Sequence, residues 1–238
     1  MALNGIEQSG LSATVAQHGW AVTPPVVPQL VVDQVIAELA SVTDGHDVRG
    51  GIRNLFDVSP AVLELAKSLP VRSVAEAVLG PDCFAVRAIL FDKTPTANWK
   101  AAWHQDLTIA VQTRAKVTGF GPWSEKAGVP HVQPPAELLE RMLAVRVHLD
   151  DCGPENGPER VFAGSHRVGR LSGAGIDAWR SGAEPTDCLA ERGAILAFRP
   201  LLLHASSPAT AAAHRRVVHL EFAAEDLPEP LAWHARVA

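Results

Sequence analysis

From Cys83 onward the chain is written in short apolar runs: CFAVRAILF, MLAVRVHLD, ERVFAG, GAILAFRP, LLLHASS and RRVVHLEFA. Turn clusters such as CGPENGP and SGAGIDA cut them apart. Runs this short, with no long helical period between them, cannot alternate as β-α-β units, so they favour an antiparallel sandwich or barrel. The Gly- and Pro-containing stretch at 117–136 is expected to be a loop over one mouth of that barrel.

The first 80 residues have a different period. Leu11, Val15 and Ala16 recur at helical spacing, and a stronger stripe follows Pro28 at Leu30, Val31, Val35, Ile36 and Leu39. Ser59 and Pro60 form an N-cap and first-turn pair for AVLELAKSL, and VRSVAEAVLG ends on a glycine suited to a C-cap. These helices flank a loop, TDGHDVRGG, and the Ala-rich PATAAAH at 208–214 reads as a flexible connection. The expected architecture is mainly β with N-terminal helices. Residues 1–80 pack on a jelly-roll core at 83–225, within one domain spanning 1–238.

A chain of 238 residues can bury on the order of 70–75% of its unfolded surface, so it needs no structural metal or disulfide to fold. Its formal charge is −5, and no basic block interleaves with aromatics, which argues against nucleic acid or an anionic membrane as a partner. The start has neither a cationic nor an apolar leader region, and no run approaches a membrane span, so the expected location is cytoplasmic. The 3 cysteines, Cys83, Cys152 and Cys188, show no pairing motif and read as reduced thiols. With no tyrosine, chemistry must come from His, carboxylates, Arg, Lys and hydroxyls.

Composition predicts about one His-x-acid triplet by chance. The chain has three: His104-x-Asp106, His148-x-Asp150 and His219-x-Glu221. On a strand, residues i and i+2 share a face, so such a triplet can offer an imidazole and a carboxylate to one ion. Two His and one carboxylate on one face of an octahedral ion leave three positions open, as in non-haem Fe(II) oxygenases. His204, at the end of LLLH, is the best third ligand. Arg215 lies eleven residues further on, and a strand, a turn and an adjacent antiparallel strand would bring it to the His204 side. Taking His104 and Asp106 as the first pair leaves most of a jelly roll between them and His204. The other two triplets do not, so His148 and His219 read as structural or pocket-lining residues.

In WHQD at 103–106, ENGPERVFAGSHR at 155–167, LLLHASSPA at 201–209 and HRRVVHLEF at 214–222, the chain resembles the phytanoyl-CoA dioxygenase family. These are Fe(II)- and 2-oxoglutarate-dependent oxygenases, and the likeness is to the short bacterial type. The resemblance implies a double-stranded β-helix, cupin-like core. It also implies that His104, Asp106 and His204 bind iron, that Arg215 holds the distal carboxylate of 2-oxoglutarate with help from Ser206, and that Gln105 approaches the substrate or co-substrate. The cofactors implied are Fe(II), 2-oxoglutarate and O2. The reaction implied is hydroxylation of a C–H bond of a small molecule, with release of succinate and CO2, and the carboxylate of Asp106 disfavours halogenation. The alternatives are a cupin-like metal hydrolase or isomerase that does without 2-oxoglutarate, and a non-catalytic binding barrel.

ENGPER and FAGSHR depart from the family, which usually carries an apolar residue and a proline there, and the change is expected to affect the strand after the turn. His166 is expected to organise the Asn-Gly-Pro turn. Arg216 should face solvent or an ion-pair partner, and Trp103 and Trp123 should belong to the core. Lys93 and Lys100 default to the surface, with the co-substrate as their alternative contact. The sequence assigns no role to Arg146 and no oligomeric state.

Overall fold

The computed structural model describes residues 5–43, 50–210 and 214–238. Most of the TDGHDVRGG loop and the centre of the Ala-rich connection therefore lie outside the described residues. In chain order the elements are α1 (Gly5–His18), β1 (Trp20–Val22), α2 (Gln29–Thr43), α3 (Leu55–Val58), α4 (Pro60–Lys67), α5 (Leu69–Leu79), β2 (Phe84–Lys93), β3 (Ala101–His104), β4 (Ile109–Ala110), β5 (Trp123–Lys126) and β6 (Val129–Val132). They continue with α6 (Ala136–Glu140), β7 (Met142–His148), β8 (Glu159–Val161), α7 (Gly173–Gly182), β9 (Thr186–Cys188), β10 (Ile195–Phe198), β11 (His204–Ser206) and β12 (Arg215–Ala223).

Three sheets result. The largest runs β1-β10-β7-β12-β2, a second runs β3-β11-β8-β9, and a third runs β4-β6-β5. With the β4–β6 insertion set aside, β2, β3 and β7 alternate between the first two sheets, as do β9, β10, β11 and β12, which is the winding of a double-stranded β-helix.

Period-two alternation divides the large sheet into two chemistries. On its outer face, Leu90, Val145, Val147, Ile195, Ala197, Val218 and Leu220 share one core with Val15, Val32, Val35, Leu39, Leu65 and Val74 of the helices. Burying each of these large aliphatic side chains contributes roughly 1.5–3 kcal/mol. The inner face carries Arg87, Lys93, Arg146, His148, Arg215, His219 and Glu221, all buried. Buried charge on this scale needs internal partners or a ligand.

The helix starts follow the sequence. The Ser59 side chain accepts from the Val62 N–H with Pro60 in the first turn of α4, and Gly80 ends α5 at φ 91°. The stripe on α2 packs as expected at Val31, Val35, Ile36 and Leu39, but not at Leu30. Val32, Val35 and Leu39 are buried, while Leu30 is 70% exposed because it sits in the first turn, off the packed face. Ala16 of α1 is likewise exposed.

Two turn readings are corrected. The stretch at 117–136 contains the β5–β6 hairpin, whose turn residues Ala127 and Gly128 both have positive φ, 49° and 76°. That is the left-handed backbone a tight hairpin requires, and alanine in the first position concealed it. SGAGIDA opens α7, where the Ser172 side chain accepts from the Gly175 N–H and caps an exposed helix that tolerates its glycines. No described helix is long and apolar enough to cross a membrane. Cys83, Cys152 and Cys188 are buried and unpaired.

Candidate active site

His104 and His204 are cross-strand neighbours in the β3–β11 ladder, and their ring centroids lie 4.2 Å apart. Each ring is fixed by its own strand. His104 Nδ1 lies 2.7 Å from the Ala102 carbonyl and His204 Nδ1 lies 2.8 Å from the Leu202 carbonyl. A carbonyl only accepts, so Nδ1 carries a proton in both rings, which in the neutral ring leaves the Nε2 lone pair for a metal. His204 Nε2 is buried without a hydrogen-bond partner.

Asp106 follows β3, with its N–H donating to the Pro200 carbonyl at 2.9 Å. Its carboxylate oxygens stand 3.9 Å from His104 Nε2 and 3.7 Å from His204 Nε2. Nitrogen and oxygen donors of the three residues thus converge within 4.8 Å of one another. Burial foremost, then His104, lowers His204 to about 4, so its imidazole is neutral near pH 7. Burial raises Asp106, but the fields of His204, His104, His219 and Arg146 override it and hold the carboxyl below its usual range. Two imidazoles with backbone-anchored Nδ1–H groups and one carboxylate are a donor set that fits non-haem Fe(II).

Arg215 is buried opposite Lys93 in the β12–β2 ladder, and its Nε has no partner. It does not reach the site by the expected route, because β11 and β12 belong to different sheets. Arg215 and Ser206 therefore come from two different sheets and line the same cavity. A cavity of about 70 Å³ is lined by Arg215, Ser206, Glu159, Arg146 and His104. Lys93 is buried, against its surface default, and donates to Ser206 Oγ at 3.0 Å and to the Ser207 carbonyl. Burial, then Arg215, lowers its ammonium to about 8. Lys100 is exposed.

A ladder of buried charge flanks the candidate ligands. Arg146 donates through Nε to His219 Nδ1 at 3.0 Å and through Nη1 to Glu159, while Arg87 Nη2 donates to Glu221. Because Arg only donates, His219 Nδ1 accepts, and its Nε2–H faces Glu221 at 3.4 Å. Asp106, His219 and Glu221 form a second convergent group within 4.8 Å, but protein cations already engage His219 and Glu221. Glu159 pairs with Ser206 in the β8–β11 ladder and reaches to 4.0 Å from His204 Nε2. The departure in ENGPER therefore adds an acid beside the site, together with its Arg146 counter-charge. The period-two positions of Arg87, Arg146, His219 and Glu221 were a signal of a polar inner face that went unused.

Of the remaining expectations, the one for His166 changes. The Gln105 amide is spent on backbone, donating to Gly169 and Leu201 carbonyls at 2.9 and 2.6 Å and accepting from the Leu171 N–H at 2.8 Å. It ties down the loop after β8, and Gln105 also lines a cavity beside His104 and Asp106. His166 lies against Gly19, where a Cβ would stand 2.5 Å from its Nδ1, so it packs on the α1–β1 junction and not on the Asn156 turn. His148 is buried and lowered to about 3, by burial foremost and then by Arg215, while Asp150 instead grips Arg216 at 2.9 and 2.6 Å. Trp103 packs on Phe162 with centroids 4.4 Å apart, and Trp123 packs at the edge of a second apolar cluster.

A family model described as Phytanoyl-CoA dioxygenase (PhyH) matches residues 15–217. The chain belongs to the phytanoyl-CoA dioxygenase family. Members of this family are 2-oxoglutarate-dependent non-haem iron oxygenases, the class to which the converged donor set conforms. The chain is 28% identical over 120 residues to Ectoine dioxygenase of Sphingopyxis alaskensis (strain DSM 13593 / LMG 18877 / RB2256), a match that covers 49% of this chain and 32% of that protein. The chain thus matches about a third of that relative's length.

Among solved structures, the non-heme alpha ketoglutarate dependent epimerase SnoN from nogalamycin biosynthesis superposes with a TM-score of 0.73 at 16% identity, covering 99% of this chain and 96% of that one. EctD from S. alaskensis with 2-oxoglutarate and 5-hydroxyectoine gives a TM-score of 0.67 at 18% identity, covering 93% of this chain and 76% of that one. At these identities the likeness shows the fold, a cupin-like double-stranded β-helix.

Proposed function

We propose that this phytanoyl-CoA dioxygenase family member is an Fe(II)- and 2-oxoglutarate-dependent dioxygenase that hydroxylates a C–H bond of a small organic molecule. We read residues 1–238 as a single oxygenase domain. The observation that carries the proposal is the convergence within 4.8 Å of His104, Asp106 and His204, each imidazole held with Nε2 free. When bound, iron would supply oxygen activation coupled to decarboxylation of 2-oxoglutarate, giving succinate and CO2.

The side chains divide the remaining work. His104, Asp106 and His204 would hold the metal, with the Ala102 and Leu202 carbonyls fixing both rings. Arg215 would grip the distal carboxylate of 2-oxoglutarate, and Ser206, already accepting from Lys93, keeps its own O–H to donate there. The Arg146–Glu159 pair and His219 form a preorganised, hydrogen-bonded wall beside the ligands.

The test is an anaerobic titration of the Fe(II)-loaded protein with 2-oxoglutarate, paired with an assay of succinate release in air. A weak visible charge-transfer band and iron-dependent succinate are expected, and Asp106→Ala or His204→Ala should abolish tight iron binding. Stoichiometric iron retained by Asp106→Ala, or no band in iron-replete wild type, overturns the assignment.

A further inference from the structure

A second cavity of about 350 Å³ opens on the candidate metal ligands, and among its described lining residues Asp106 is the only carboxylate against four cations, Arg53, Arg87, Lys126 and Arg146. Arg146 is matched by Glu159. The other three are under-compensated. Arg87 is 9% exposed and spends Nη2 on Glu221, leaving its buried Nε and Nη1 without partners. Among the described residues, Arg53 spends Nη1 on the Gly50 and Gly51 carbonyls and has a buried Nε without a partner, and Lys126 donates to the Thr108 hydroxyl at 2.8 Å.

Their placement is built. Ile52 bridges to Leu90 of β2, and the Asn54 side chain donates to the Ala127 carbonyl at 3.1 Å. The segment bearing Arg53 is thereby locked between the strand bearing Arg87 and the hairpin bearing Lys126. Glu221, the acid that Arg87 grips, lies within 4.8 Å of Asp106 through its carboxylate, so the cationic wall begins one carboxylate away from the candidate metal ligands. Phe91, Ile89 and Trp99 supply apolar surface in the same cavity.

We infer that the prime substrate is a small molecule whose oxyanion, a carboxylate or a phosphate monoester, docks on Arg53, Arg87 and Lys126 while its apolar body lies along Phe91 and Trp99. This deepens the oxygenase reading and rests on it. Burial, then Arg87 and Arg53, lowers the Lys126 ammonium, and burial, then Arg87, lowers Arg53, a mutual repulsion that a bound anion would relieve. A cavity of this size suits a compact ligand, and desolvated guanidinium groups without partners are strong anion receptors.

The test uses calorimetry on the anaerobic Fe(II) protein with saturating 2-oxoglutarate, titrated with benzoate, phenyl phosphate and the neutral isostere benzamide at millimolar concentration. At least one anion is expected to bind about tenfold or more tightly than benzamide, and which of the two does so identifies the oxyanion. Arg53→Met and Lys126→Met, which strand no buried acid, should together weaken that anion about tenfold while leaving the melting temperature near wild type. Arg87→Met is avoided because it would leave Glu221 buried and unpaired. Benzamide binding as tightly as the anions, no anion binding, or anion binding untouched in the double variant overturns the inference. Failure of the oxygenase reading shows separately, as loss of the charge-transfer band and of succinate in wild type.

Discussion

At the residue scale, the site depends on lone pairs and counter-charges held ready in a buried wall. Among the described residues Arg215 makes no ion pair with a carboxylate, and the proposed function gives it the distal carboxylate of 2-oxoglutarate. Arg215→Ala should remove a charge-assisted pair of roughly 2–3 kcal/mol and raise the KM for 2-oxoglutarate on the order of 100-fold, with Arg215→Lys between the two. Steady-state kinetics at varied 2-oxoglutarate checks this, and an unchanged KM would move the role to Lys93. Glu159 makes the converse case. Glu159→Ala strands Arg146 between Phe91 and Phe198 and should cost about 3–5 kcal/mol in urea denaturation, whereas Glu159→Gln keeps an acceptor and should cost less. His104, Asp106, His204 and Arg215 were legible as residues because their spacing and types are unusual in combination. Glu159 and Arg146 were not, since a charge in a strand defaults to the solvent face until its sheet is known to be covered on both sides.

At the element scale, turns decide where strands deliver their side chains. Gly157 has φ 61°, and a Cβ there would stand 2.3 Å from the Ser207 carbonyl and 3.1 Å from Lys93 Nζ. Gly157→Ala should therefore push apart the start of β8 and the end of β11 and weaken 2-oxoglutarate binding while iron content stays intact, measurable by calorimetry beside metal analysis. Ser59 caps α4 and also donates to Glu38 of α2, so Ser59→Ala should destabilise the helical layer by about 1–2 kcal/mol in thermal or urea unfolding. That cap was readable because it is a local hydrogen bond between residues three apart. The β5–β6 hairpin and α7 were misread because alanine at a positive φ and glycines inside a capped helix contradict their own propensities. Neighbouring structure overrides propensity at such positions.

At the scale of the whole molecule, acid should unfold the protein through its buried neutral histidines. Burial foremost lowers His131 to about 4 and His148 to about 3, both beneath the ordinary value near 6.5. Below pH 6.5 the unfolded chain takes up protons that the folded chain refuses. Stability is thus full above that pH and falls as pH drops toward 4 for His131 and 3 for His148, at about 1.4 kcal/mol per pH unit for each. Urea midpoints measured from pH 7 to pH 4 should show the decline, and His131→Gln should flatten it; an identical slope in that variant would rule His131 out.

By itself the chain determined the division into helices and short strands, the cap of α4, and the residue types able to hold iron, because these are local periods and local spacings. Only the tertiary structure decided that β11 and β12 belong to different sheets and that Arg87 meets Glu221 across 134 residues of chain. It also decided that Lys93 is buried while Lys100 is exposed. Alternation along a strand says which side chains share a face, and packing alone says what that face looks upon.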